Sequence, residues 1–323
     1  CYDKLCLYNR DGVACRSVDW ENKLNWRISM SEYFKVHASR YDATKDFYVV
    51  RPSSLNKPKN NSVMFVTPEY IDKWKAVLEV NECIVIWPEE KEIPEDLAVR
   101  HTVIRHREPR LGFAEFFRDN NITYNRKPVP YRIVNGAYVC EGAQIGEDCS
   151  IFPGAYIDSE VVIGNHCYIG SGVKLLGSVK IGDNCIIREN TVIGSDGLTT
   201  RRDENGRVVT IPQFGSVTIE DNVQIGALTV IAKGAIDDTV IHSGCRVDNS
   251  CFISHNVQLG EDTLVVGETI MFGSSSTGRQ AFVSGNSTIR DGVPVGEKAI
   301  VGMGSVVVKP IPDGGIVKGN PAR

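Results

Sequence analysis

Among the side chains of this sequence that can move a proton near neutral pH, His255 occupies the most informative place. It closes the string VDNSCFISH, two positions after Ile253 and seven after Asp248, with Asn249 beside the aspartate. Imidazole is the group whose ordinary pKa falls between pH 5 and 8, so a histidine that faces a cleft is a candidate base. Gly273 follows further along the same stretch. The other histidines of this half of the chain are His166 and His242. Their spacings from each other and from His255 show no sign of the convergence that a three-histidine zinc site requires, and no metal is expected.

The elements that must hold these residues are set by a period of six. Aliphatics recur at Val139, Ile145, Ile151, Ile157, Ile163, Ile169, Leu175, Ile181, Ile187 and Ile193, then at Ile219, Ile225 and Ile231. They resume from Ile241 to Val307, where only Met271 and Thr277 depart from Ile, Val or Leu. Ten uninterrupted hits have a chance probability on the order of one in a million. Six is a multiple of the strand period and fits no helical repeat, so these are short strands with one inward aliphatic each. A hexapeptide period is the signature of a parallel β-helix.

Three hexads make a coil, and the 25 hexads predict about eight coils stacked as a solenoid. The interval from His255 to Gly273 is three hexads, one full coil. Gly273 is therefore expected directly beside His255, and His255 at a corner rather than inside the column. The fourth residue of each hexad is small, as in Ala143, Ala155, Cys149, Cys167, Cys185, Cys245 and Cys251. The cysteines there read as small core residues rather than disulfides or ligands, and a reduced, cytoplasmic location fits.

The period leaves a chain of two parts. Residues 1–124 form a smaller N-terminal α+β domain, with helices expected at Pro68–Leu78 and Pro109–Phe117 and no role assigned to residues 1–45. Residues 125–138 are a linker with two prolines, and residues 139–309 are the β-helix. Residues 195–215 leave the repeat as an excursion too charged for a core, and a four-residue insertion lies near Gly234–Asp238. Residues 310–323 are a tail. Net charge is −4 with no dense basic run, which gives nucleic-acid binding no support. No apolar stretch is long enough to span a bilayer, and the first residues lack the pattern of a signal peptide.

The strings SVMFVTPEY, PRLGFAEFF, VIGSDG, IPQFG, DDTVI, VDNSCFISHNVQLG and GMGSVVVKPIP resemble the UDP-3-O-acylglucosamine N-acyltransferases of lipid A synthesis, over about residues 47 to 315. The resemblance implies that the β-helix is left-handed and the assembly a homotrimer. It implies acyl transfer from a thioester to the amine of a nucleotide-linked amino sugar, with no tightly bound cofactor. By the same resemblance His255 is the general base, Asp248 with Asn249 orients it, and the Gly273 N–H meets the tetrahedral oxyanion. The uracil clamp of the family falls on Met64, Thr67 and Tyr70, with Phe65 adjacent.

This chain also departs from the family. Gly292 stands where the family carries a second histidine, and only Tyr70 of the clamp is an aromatic that can stack on a base. The ending KGNPAR lacks the family's helical extension and, with VVVKPIPDG, resembles acetyl-CoA-dependent hexapeptide transferases. That shifts the expected co-substrate from acyl carrier protein towards acyl-CoA, with Lys309, Asn320 and Arg323 as its contacts. Other readings are a catalytically silent β-helical binding or assembly protein, a sugar O-acetyltransferase, and a β-helical metalloenzyme.

Overall fold

The structure, a computed structural model, describes residues 33–123 and 128–323. The inward aliphatics pack into one continuous buried column running from Ala137 to Ile311. Each hexad supplies a short strand that pairs in parallel with the strand one coil further on, so Ile157 lies beside Leu175, Ile163 beside Ile181 and Ile169 beside Ile187. Among the described residues three sheets of nine, ten and eight strands result, one for each face of the column. Thr277 is tolerated inside because its hydroxyl is 3.0 Å from that of Thr263 and accepts the Gly260 N–H at 3.1 Å.

Both breaks in the period are absorbed without loss of phase. Ile181 pairs with Ile219 across the first break, and Ile219 pairs with Ile241 across the second. Each excursion is looped out of its coil, and no inward side chain is turned outward. The small fourth positions do more than save space. Thr191 Oγ1 donates to the Gly226 carbonyl at 2.6 Å, Ser287 Oγ to Gly302 at 3.2 Å and Cys245 Sγ to Gly260 at 3.0 Å, supplying corner carbonyls with donors from within. Burial pushes the Cys245 thiol up to about 12, so it stays protonated and donates.

The ends of the column lie outside the expected boundaries. Of the expected linker, Asn125, Arg126 and Lys127 lie outside the described residues, but Tyr131–Val134 pairs antiparallel with Ala137–Cys140 and so begins the column. The expected tail adds to it. Ile311 and Val317 resume the spacing of six, Ile311 bridges Val295, and Ile316–Val317 pairs with Ile300–Val301.

Ahead of the column, strands Arg51–Pro52, Ser62–Phe65, Ile84–Pro88 and Thr102–His106 form a parallel sheet in that order. Helix Pro109–Asp119 covers one face with Phe113, Phe116 and Phe117. The 3₁₀ segment Pro68–Glu79, kinked at Tyr70, and helix Glu95–Arg100 cover the other. The 195–215 excursion is not the solvated loop its charges suggest. Thr200–Arg202 and Val208–Thr210 form a hairpin, and Val209, Ile211 and Phe214 pack into the Pro109–Asp119 face of the N-terminal sheet. Apart from Asp196 its charges cluster towards the tip, whereas the returning arm alternates apolar residues and joins the two parts of the chain.

One buried histidine makes this sheet sensitive to acid. His101, 1% exposed, accepts the Cys83 N–H at Nδ1, and burial, with Arg100 and Lys45 nearby, lowers its pKa from 6.5 to about 4. Between those values the unfolded chain binds a proton that the folded chain refuses. Stability therefore falls as pH drops through this window, by on the order of 3 kcal/mol for this group. Urea midpoints should fall between pH 7.5 and 4.5, and by less in His101→Gln, which keeps an acceptor for Cys83. Equal falls in the two proteins would refute the assignment.

Candidate active site

His255 follows Phe252–Ile253 of the ten-stranded sheet and precedes Gln258–Leu259 of the eight-stranded sheet. Both excursions leave the column at this same corner, one after Val192–Ser195 and the other after Val230–Ala232. The imidazole is half-buried between them.

Two glycines flank the ring. A Cβ on Gly273 would overlap His255 Cε1 and stand 2.6 Å from Nε2, and one on Gly197 would stand 2.9 Å from His255 Cβ and 3.0 Å from Cδ2. Neither position tolerates a side chain with the ring in place. Gly273 is thus beside His255, as the three-hexad interval predicts, and the Ser274 N–H donates to the His255 carbonyl at 2.9 Å to fix that register. Among the described residues no acceptor takes the Gly273 N–H.

The tautomer follows from Asn256. Its Nδ2 donates to the Asp237 carbonyl at 2.6 Å, and its Oδ1 accepts the Ala235 N–H at 3.1 Å, so the amide can point only one way. His255 Nδ1 lies 3.0 Å from that same oxygen and must carry the hydrogen. Nε2 then holds the lone pair, 3.4 Å from the Thr199 hydroxyl. The four-residue insertion, which supplies Ala235 and Asp237, is what locks the orientation of the ring.

Asp248 does not do this within the chain. It lies between the nine- and ten-stranded sheets, on a different edge, where Oδ2 accepts the Gly267 N–H at 3.1 Å. There it lines a depression of about 460 Å³ with Arg188 and Arg246. Asn249 caps the same corner, accepting the Ala227 N–H at 2.7 Å. The step from His255 back to Asp248 is one hexad and one position more, which crosses to the neighbouring edge. Asn256 takes the expected orienting place, and sequence reasoning missed it because an amide next to a histidine carries no signal until its own partners are known.

The other expected positions are scattered. Met64 is buried in the sheet core, and Phe65, on the opposite face of the same strand, packs on Phe113 at 5.0 Å, so neither forms half of a clamp. Thr67 is buried at the start of the 3₁₀ segment. Tyr70 alone presents its ring, 45% exposed with the Lys73 ammonium 5.0 Å from its centre. Lys309, Asn320 and Arg323 are exposed on the last coil. Gly292 donates its N–H to the Gly273 carbonyl at 2.9 Å and faces open space. His166 lies 3.7 Å from Asp148 and His242 3.0 Å from Glu220, so the three histidines do not meet, and no group of three metal-binding side chains is assembled among the described residues.

Residues 142–177 and 160–195 match the family described as bacterial transferase hexapeptide (six repeats), and residues 278–309 match the hexapeptide repeat of succinyl-transferase. Hexapeptide repeats of the transferase type are thus recognised over these two stretches of the column. It is similar to the UDP-3-O-acylglucosamine N-acyltransferase of Pseudoalteromonas translucida, 48% identical over 88 residues that make up 27% of this chain and 26% of that one. It is likewise similar to that of Francisella tularensis subsp. holarctica, 51% identical over 79 residues, 24% of this chain and 23% of the relative. The match therefore spans about a quarter of the length of these curated relatives.

The hexapeptide fold is also that of the UDP-N-acetylglucosamine acyltransferase from Campylobacter jejuni, 25% identical with a TM-score of 0.52, over 59% of this chain and 73% of that one. LpxA from Acinetobacter baumannii gives a TM-score of 0.54 at 22% identity, over 59% and 72%. The column is a left-handed parallel β-helix.

Proposed function

We propose that this hexapeptide-repeat protein is an N-acyltransferase that moves an acyl group from a thioester to the amine of a nucleotide-linked amino sugar. The observation that carries the reading is the state of His255. With Nδ1–H held by Asn256, Nε2 offers a lone pair beside a glycine N–H that no acceptor takes among the described residues. An amino sugar is largely protonated at neutral pH, and its ammonium form cannot attack. The ammonium gives a first proton to solvent, His255 takes a second from the nitrogen as the amine adds to the thioester carbonyl, and the oxygen that gains the electron pair is met by the Gly273 N–H. Collapse of the adduct breaks the C–S bond, and the thiol leaves with the proton that His255 returns.

The exposed ring of Tyr70 supports stacking on a nucleobase. The exposed Lys309, Asn320 and Arg323 support a phosphate-bearing donor at the last coil, acyl-CoA before acyl carrier protein. The chain acts as a homotrimer in this reading. Outward-facing Tyr138, Phe252, Leu264 and Ile300 line two of the three faces and are large, apolar and exposed, as an interface between copies requires. Seven cysteines that are free among the described residues support a reducing, cytoplasmic location. No helix among the described residues is long and apolar enough to cross a membrane.

Thiol release from acetyl-CoA, measured against a panel of UDP- and dTDP-linked amino sugars and their hydroxyl counterparts, tests the reading. Turnover with amines establishes it and names the acceptor. Turnover with hydroxyl sugars alone replaces it with O-acyl transfer. Silence with both CoA and carrier-protein thioesters leaves a binding protein, the reading that the glycine at position 292 favours.

A further inference from the structure

Lys233 has no part in the chemistry described so far, yet it is in register with His255. Ile231 pairs with Ile253, and the two residues each lie two positions past that pair on adjacent coils. Its N–H donates to the Ser195 carbonyl at 2.9 Å, and its side chain is 2% exposed. A buried ammonium requires a counter-charge, and Asp196 supplies it at 2.8 Å from a half-exposed position. The residues that follow Asp196 are those that touch the imidazole. Gly197 lies against His255 Cβ and Cδ2, and Thr199 places its hydroxyl 3.4 Å from Nε2. The rest of the excursion runs away towards the N-terminal sheet, so this pair is its fastening on the column side.

We infer that Lys233 is a positioning residue for His255: by holding Asp196 it seats Gly197 and Thr199 against the open side of the ring, while Asn256 holds the other side. The buried cation defines where the first turn of the excursion starts, and the ring is clamped between that turn and Gly273. The consequence for turnover rests on His255 being the base proposed above; the consequence for the ring itself does not.

The two are separated by measuring ethoxyformylation of His255 with diethylpyrocarbonate, read by mass spectrometry, alongside turnover. His166, on an exposed corner, serves as the internal reference. In Lys233→Met the His255 rate should rise severalfold at an unchanged His166 rate, and kcat should fall roughly 10- to 100-fold with KM for the donor unchanged. Lys233→Arg, which can still pair with Asp196, should restore both. Asp196→Asn removes the pair from the half-exposed side and should reproduce the Met variant while leaving the lysine side chain itself unchanged. A His255 rate equal to wild type in both Lys233→Met and Asp196→Asn overturns the inference, as does a Lys233→Arg protein as impaired as Lys233→Met. Were the wild type to show no turnover, the proposed function would fall, and the modification rates would still decide this point.

Discussion

His255→Ala is expected to lower turnover by roughly 10²- to 10⁴-fold, the range for losing a positioned general base. The loss should appear in kcat, because in the proposed mechanism the ring acts on the amine only as it attacks, and KM for either substrate should change little. His255→Gln sharpens the test. Its amide keeps a donor for Asn256 and fills much of the same corner, but has no basic nitrogen, so it should be as impaired as the alanine variant. A glutamine protein near wild-type activity would mean that the ring serves packing and that another group moves the proton. Unfolding should be little affected in either variant, since the ring lies outside the column of aliphatics.

Gly273→Ala has the second largest expected effect, and its cause is steric. A methyl at this position overlaps Cε1 and Nε2 of His255, so the ring must swing out of the hydrogen bond with Asn256. Displacing a base by about 1 Å costs on the order of 10²-fold in rate, and obstructing an oxyanion donor costs about as much. The double variant His255→Ala/Gly273→Ala distinguishes the two contributions. If the glycine only makes room for the ring, the double variant is no slower than His255→Ala, because its methyl has nothing left to strike. A further loss of one or two decades would show that the Gly273 N–H, or the approach of the thioester to it, contributes separately. Wild-type rates in Gly273→Ala would refute both roles.

The fold was legible because its core is local. Each inward residue answers to its neighbours one hexad and one coil away, so Ile253, Met271 and Ile289 could be stacked on paper, and with them His255 beside Gly273. What the period could not give is anything set across a break in phase. Lys233 and Asp196 meet around the longer excursion, and Ala235 and Asp237 reach Asn256 through the shorter one. No spacing rule connects them. Asp248 failed as a partner for a related reason: in a three-sided column, edges alternate every hexad, so a step just longer than one hexad separates two side chains. Met64 and Phe65 illustrate the strand version. Adjacent residues on the Ser62–Phe65 strand face opposite ways, and no ligand can touch both from one side.

Both excursions leave the column at the histidine's corner and end against the N-terminal part, the first through Val209, Ile211 and Phe214, the second through Ile236 and the Asp237 carboxylate that accepts the Ser54 hydroxyl. The chain is thereby built like a trestle. Two struts rise from one corner of the column, and the histidine's corner is tied to the N-terminal part at two points rather than one.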